Sequence, residues 1–438
     1  MTNRVSTTNF KEFTKAHHWV AGVQWLLFMF ANTVVIPISI GNALHMSGPA
    51  ITSSMQRSFF YTGLASLLQL FFGHGLPIME GQSGVWWGAI LGVLATAEES
   101  GLTPLQAGGS LETGIILSGV SIAVLGFMGM GNVLKKWFTP IASSVFLILL
   151  ATELISIFMK GMLGLSGHLQ IDIPTALLSI VLIAVVLFIQ LSRWKKFRNY
   201  SILVGIGIGW VIFRLMIQPA EGIPQAGISS LWQVFPWGHL GVEWGIIITA
   251  MVAGLINASN TVATLEAAKP LFQVETTQKM YRKSFLITGI NTIISGFLGL
   301  VPYAPYTSSL GFLRSTQLFS KIPFALGAVL FMILGLVPAA GSLLATLPVS
   351  VGDAVLLVAY LQLFGSAMQY IEGMTFDHRT IYRLALPVLV GIGIFTIASG
   401  AFITLPAVVR PFLSNGLLVG VLLAIIFENT IKWNLTDQ

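Results

Sequence analysis

The stretch NASNTVAT at 257–264 decides how this chain is read, because its kernel recurs as ANTV (31–34) within FANTVV at 30–35. Both copies set a carboxamide and a hydroxyl into long apolar runs, and polar side chains at membrane depth are expensive unless they are used. Further matches follow in the same order along the chain. GLP (75–77) is answered by GLVP (299–302), TPIASSVFLILLAT (139–152) by LPVSVGDAVLLVAY (347–360), and SILVGIGIG (201–209) by GLLVGVLLA (416–424). The ordered set divides the chain into halves of about seven spans each. Seven is odd, so the second half is expected to lie upside down relative to the first, as in secondary transporters built from inverted repeats.

Composition fixes the solvent. With 55% hydrophobic and 9% charged residues in a chain of 438, and a mean hydropathy of +0.85, too little polar surface exists to cover a soluble globule. The class expected is an all-α polytopic membrane protein with about fourteen transmembrane segments, from 17–40 to 414–431. The polar N-terminal tail lacks a short apolar core, so the first span is expected to be retained. The absence of cysteine excludes disulfides, thiolate metal sites and thiol catalysis.

The net charge of +6 reports orientation first. With a cytoplasmic N-terminus, inside segments collect Arg4, Lys11, Lys15, Lys135, Lys136, the run Arg193 to Arg198, Lys269, Lys279, Arg282, Lys283, Lys321, Arg379, Arg383 and Lys432. Outside loops keep Arg57, Lys160 and Arg410, while Arg214 and Arg314 fall within spans. This asymmetry predicts a multi-pass cell-membrane protein with both termini cytoplasmic.

Two segments cannot be ordinary helices. The third, LPIMEGQSGVWWGAI (76–90), and the tenth, VPYAPYTSSLGFLRS (301–315), are rich in Pro, Gly and Ser and are expected to break into short extended stretches. Their half-helix N-termini, Gly81 to Gly84 and Thr307 to Ser309, would offer free N–H groups and partial positive charge to a solute near the midplane. Asn32, Asn257 and Asn260 flank these turns. A carboxamide supplies both donor and acceptor, as a nucleobase edge requires, although it could equally staple two helices. Glu80 precedes the first broken turn by one residue and is the candidate for holding a proton. Asp353 and Glu153 occupy the corresponding twelfth and fifth spans, and Glu266 and Arg314 lie nearer the cytoplasmic side. Trp86, Trp87, Tyr303 and Tyr306 could stack on a planar base or serve as packing.

At these residues the chain resembles the nucleobase–ascorbate transporter family, the second class of nucleobase:cation symporters, over nearly its whole length. In QWLLFMFANTVVIP (24–37), Gln24, Met29-Phe30, Thr33-Val34 and Pro37 fall in the family's opening register, with Trp25 where the family has His. PIMEGQSG (77–84) is similar to the family's turn in which a backbone N–H meets the base, so Ser83 and Gly84 inherit that role by resemblance. SSLGFLRSTQ (308–317) keeps Gly311 and Thr316 of the tenth-span signature, while Ser308 stands where the family's base-gripping side chain belongs. The family's substrate-binding Glu falls at Ile256 or Asn257, neither acidic, and Asn260 aligns with a polar position one turn later.

The resemblance implies a purine permease of a divergent bacterial branch, importing xanthine, uric acid, guanine or hypoxanthine by proton symport, with Na⁺ as the other possible ion. It implies a homodimer whose core domain (17–136 and 241–343) moves against a gate domain (137–240 and 344–438), after a cytoplasmic tail at 1–16. It implies no cofactor, no metal and no nucleic-acid partner. A uracil permease or a small-anion carrier of the same fold remains the alternative, the latter needing Arg314 as cationic help. An enzyme is not expected: HExxH, GxSxG and paired-Asp motifs are absent, and His17 and His18 sit at the start of the first span.

Overall fold

Proline occupies one of the first two helical positions of several spans, at Pro49, Pro104, Pro140 and Pro174, where its missing N–H costs nothing. Thr103 and Thr139 also cap two of these helices through their side chains, and side-chain caps at Ser83, Thr277, Ser320 and Asn415 start others. The computed structural model describes residues 16–129, 136–165, 170–192, 201–217, 231–344, 346–431 and 433. Most of the polar N-terminal tail, Lys135, the basic run 193–198 and Lys432 lie outside the described residues.

The order begins with α1 (Ala16–Thr33), α2 (Val35–Ala43), α3 (Gly48–Phe71), β1 (Glu80–Gln82), α4 (Gly84–Glu99) and α5 (Pro104–Phe127). Then come α6 (Pro140–Met162), α7 (Ile173–Leu191) and α8 (Ser201–Met216). The chain continues through α9 (Trp244–Phe272), α10 (Gln278–Leu298), β2 (Tyr303–Pro305), α11 (Ser308–Thr316), α12 (Lys321–Leu336) and α13 (Pro338–Leu344). It ends with α14 (Val349–Tyr370), α15 (His378–Thr396), a 3-10 turn (Ser399–Phe402), α16 (Arg410–Leu413) and α17 (Gly416–Thr430).

Seven helical stretches among the described residues are long and apolar enough to cross a bilayer: His17–Ala43, α5, α6, α7, α9, α14 and α15. An eighth arises if α12 and α13, bent by 87°, count as one span. The chain is therefore an all-helical polytopic membrane protein.

Two packing groups organise these helices. In one, α5 runs along α10 and α9, and α3 and α1 run along α12, with α4 against α9 and α5. In the other, α6 lies along α14 and α17, α15 along α17, and α7 along α14 and α8. Close approach of α5 and α10 within the first group needs glycine on both sides: a Cβ on Gly119 of α5 would stand 2.7 Å from the Ile293 backbone nitrogen, and one on Gly289 of α10 would stand 2.6 Å from that of Ala123.

The long helix α3 is missing from the apolar set because its inner face is polar. Gln56, Arg57, Ser58, Thr62, Ser66 and Gln69 are all fully buried. Arg57 thus departs from its expected place in an outside loop. It stands inside the first group with the Glu112 carboxylate near enough to act on its charge. Glu112 in turn accepts the Trp237 backbone N–H at 3.0 Å, tying the segment before α9 to α5.

Candidate solute-binding site

The two Pro/Gly/Ser-rich segments meet as a two-stranded antiparallel pair. Glu80 faces Pro305, Gly81 faces Ala304, and Gln82 faces Tyr303. Two further backbone bonds flank the pair, Ser83 N–H to Pro302 C=O (2.8 Å) and Tyr306 N–H to Met79 C=O (2.9 Å). Each strand feeds a helix, α4 or α11, so two helix N-termini start from one small sheet. Extended backbone at this depth is tolerable because each strand satisfies the other and all six strand residues are buried.

Polar side chains of α9 fasten this sheet. The Asn257 carboxamide is fully buried and donates to the Tyr303 carbonyl (3.1 Å), while its Oδ1 accepts from Asn260 Nδ2 (3.1 Å). Asn260 Nδ2 also reaches Ser83 Oγ at 3.5 Å, and Ser83 Oγ accepts the Val85 N–H, capping α4. One turn further along α9, Thr264 donates to the Pro305 carbonyl (3.1 Å) and bonds the Thr307 hydroxyl (2.7 Å). Ser309 Oγ accepts the Met79 N–H (3.2 Å). Asn257, Asn260, Ser83, Thr307 and Ser309 therefore belong to one network, and Asn260 and Thr307 are its half-buried members.

Tyr306 closes the network on another side. Its hydroxyl donates to the Gln82 carbonyl and stands 3.5 Å from the Asn32 carbonyl, and its ring lies over Gly81, where a Cβ would come within 2.8 Å. The same hydroxyl lies near enough to the Tyr360 hydroxyl of α14, in the other packing group, for the two to act on each other electrostatically. Gly84 faces that group too: a Cβ there would lie 3.1 Å from Leu154 Cδ1 of α6 and 3.8 Å from the Tyr360 ring. Tyr360 carried no signal in the sequence, because nothing about an aromatic residue in an apolar run marks it as facing a broken turn.

Other expected residues are placed differently. The Asn32 Nδ2 is spent on its own helix, donating to the Phe28 carbonyl (2.8 Å). Gln24, half-buried, lies two turns earlier on α1. Ser308 and Gly311 are exposed on α11, and Thr316 bonds back to Phe312 at the helix end, away from the strands. Trp86 and Trp87 are packing groups, Trp86 against Gly254 and Trp87 donating to Ser39 (3.1 Å). Glu266 ties the α9–α10 turn through Lys269 (2.8 Å), Thr276 (3.0 Å) and the Tyr281 hydroxyl. Arg314 is exposed in the last turn of α11.

Glu80 is fully buried and points away from Tyr306, into α3 and α10. Its Oε1 accepts from Gln69 (3.3 Å) and Thr288 (3.2 Å), its N–H bonds Ser66 (3.1 Å), and Oε2 has no partner among the described residues. A carboxyl so placed can keep a proton on Oε2 without disturbing the bonds to Oε1. Asp353, also buried, lies against Gly161 of α6, well within the second group.

A separate cleft lies elsewhere. A cavity of about 590 Å³ opens between α2–α3 and α6, α7, α8 and α14, lined by Ile38, Asn42, Asp172, Arg214 and Ser350 among others. Ile38 is six residues beyond Asn32, roughly 9 Å along the helix. Between cleft and network, Val35 of α2 meets Gly352 of α14, with 3.5 Å between Val35 Cβ and the position of a Gly352 Cβ.

The chain as a whole is similar to known proteins. The chain is 28% identical over 427 residues to the "Putative purine permease YwdJ" of Bacillus subtilis (strain 168), covering 94% of this chain and 96% of that one. It is 26% identical over 434 residues to the uric acid permease PucJ of the same organism, covering 95% and 92%. Among solved structures, the transmembrane domain of a cyanobacterium bicarbonate transporter, BicA, superposes with a TM-score of 0.61 at 16% identity, covering 95% of this chain and 98% of that one. The anion transporter SLC26A9 gives 0.63 at 13% identity, covering 97% and 67%. At such identities these structures speak for the fold alone. The model of the xanthine/uracil permease family, described as a permease family, matches residues 17–400, and the chain is a multi-pass transporter belonging to that family.

Proposed function

We propose that this chain imports a purine nucleobase, such as xanthine, uric acid, guanine or hypoxanthine, by proton symport, with the base held between the N-termini of α4 and α11. The observation that carries this reading is the Asn257–Asn260–Ser83 network at the paired strands, which sets a half-buried carboxamide beside two helix N-termini. A neutral donor–acceptor pair and free helical N–H groups match the amide-like edge of an oxopurine. Purine permeases among its relatives support the same class.

In this reading the two halves form an inverted repeat, the first packing group is the core domain and the second the gate. The site alternates between membrane faces as the core slides past the gate, in a protein with cytoplasmic termini that pairs as a dimer. The packing of the helices into two groups, joined across Gly84, Tyr306 and Tyr360, supports the division. A small-anion carrier is disfavoured, because Arg314 lies exposed at the far end of α11 rather than at the strands.

The test is uptake of a radiolabelled panel of xanthine, uric acid, guanine, hypoxanthine and uracil in a strain deficient in nucleobase transport, with and without a proton uncoupler. Uptake of one purine that the uncoupler abolishes is expected; uptake of none, or competition by sulfate, overturns the reading. Glu80 is assigned the proton that travels with the substrate. Glu80→Gln is expected to lose uptake driven by a pH gradient while sparing exchange, and normal accumulation in that variant removes the assignment.

A further inference from the structure

Glu153 lies where the two packing groups touch, on the second turn of contact between α6 and α4. Leu150 and Leu154 of α6 cover Gly84, and one turn along α4 the Glu153 carboxyl covers Gly88. The fit is tight: a Cβ on Gly88 would stand 2.4 Å from Glu153 Oε2 and 2.6 Å from its carboxyl carbon. The residue is 7% exposed, and Oε2 has no hydrogen-bond partner among the described residues.

Charged and titratable groups on the elements packed against α6 do not compensate it. In α4, Glu98 lies in the last turn. In α14, Asp353 faces Gly161, Tyr360 lies by Tyr306, and Tyr370 ends the helix. In α17, Glu428 pairs with Arg383 of α15 at 2.6 Å, and the remaining His378, Arg379 and Tyr382 of α15 sit in its first turns. Among the described residues α7 carries none, and Lys160 lies about two turns away on α6 itself.

We propose that Glu153 is a second protonation site, carried by the gate, whose neutral form is required for α4 to dock against α6. This rests on the core-and-gate reading given above. One proton adds to the carboxylate to give the neutral acid, which fits the apolar cradle at Gly88. The ionised form needs water or a cation that this contact does not supply. Glu80 differs in kind, since its partners Gln69 and Thr288 belong to the core and travel with it. Glu153 alone of the two changes surroundings when the groups slide, so its proton gates movement rather than substrate binding.

The test is counterflow of radiolabelled xanthine, or of whichever base the uptake panel identifies, in liposomes holding the full chain at equal pH on both sides. Wild-type exchange is expected to fall at least threefold between pH 6 and pH 8, because deprotonated Glu153 resists docking, while in E153Q the fall is at least halved and what remains is the part that Glu80 imposes. A pH profile in E153Q parallel to that of the wild type overturns the proposal. Should E153Q fail to fold, the wild-type protein decides: dicyclohexylcarbodiimide is expected to modify Glu153 at pH 6 and at least threefold less at pH 8, read by peptide mass. Absence of modification at both values overturns it. If the wild type moves no nucleobase, the transport reading falls on the uptake panel, and the labelling still judges Glu153.

Discussion

Asn257 and Asn260 occupy neighbouring turns of α9 yet do different work. Asn257 satisfies a carbonyl of β2 and is fully buried, so its first duty is to hold the strand pair. Asn260 is half-buried, and its Nδ2 is shared between Asn257 and Ser83. Replacing Asn257 by Ala leaves the Tyr303 carbonyl without its donor, and a loss of about 1–3 kcal/mol is expected. It reads out as a lower melting temperature in detergent together with weakened uptake. Asn260→Ala is expected to spare the melting temperature and raise the KM for nucleobase uptake at least tenfold. Equal effects of the two variants on melting would contradict this division. Spacing of three on a helix put both residues on one face from the start. What spacing could not tell was which one the fold consumes.

At the scale of elements, the broken segments are set by local chemistry and the helices beside them by close approach. Ser83 caps α4, Gly299 at positive φ ends α10, and Pro77, Gly81, Pro302 and Pro305 keep the chain between the helices out of helical form. The helices α5 and α10 then depend on Gly119 and Gly289 for backbone contact. Gly119→Val drives methyl groups into the α10 backbone, and overpacking of this kind costs about 1–3 kcal/mol. A thermal unfolding scan is expected to show the loss. Gly311→Ala on α11 serves as the control with no stability cost, since nothing lies within 4 Å of a Cβ there. Ser83→Ala removes the cap of α4 at about 1 kcal/mol and also the acceptor of Asn260. Uptake in that variant is expected to fall more than stability does.

For the whole molecule the decisive contacts lie between the packing groups. Val35 and Gly352 approach with a Cβ separation of 3.5 Å, within the range a disulfide spans. The chain has no cysteine of its own, so the V35C/G352C variant is free of background. Oxidation is expected to abolish nucleobase uptake by pinning one group to the other, and reduction to restore it. Full activity of the oxidised protein would show that the two groups do not move relative to each other at this contact.

Sequence by itself determined that the chain is helical and crosses the membrane several times, because burying apolar surface is a demand each segment makes alone. It also marked where two helices must break, since Pro, Gly and Ser act on their own backbone. Tertiary structure decided which polar groups are consumed and which are left over. Gln69 and Thr288 are 219 positions apart and meet only around Glu80, and Arg57 is drawn from its expected loop into the interior beside Glu112. Glu153 owes its interest to Gly88, a glycine with no signal of its own until another helix lies against it. Apolar burial is roughly additive and can be read along a chain, whereas the pairing of buried polar atoms depends on distances between remote segments, which only the folded molecule sets.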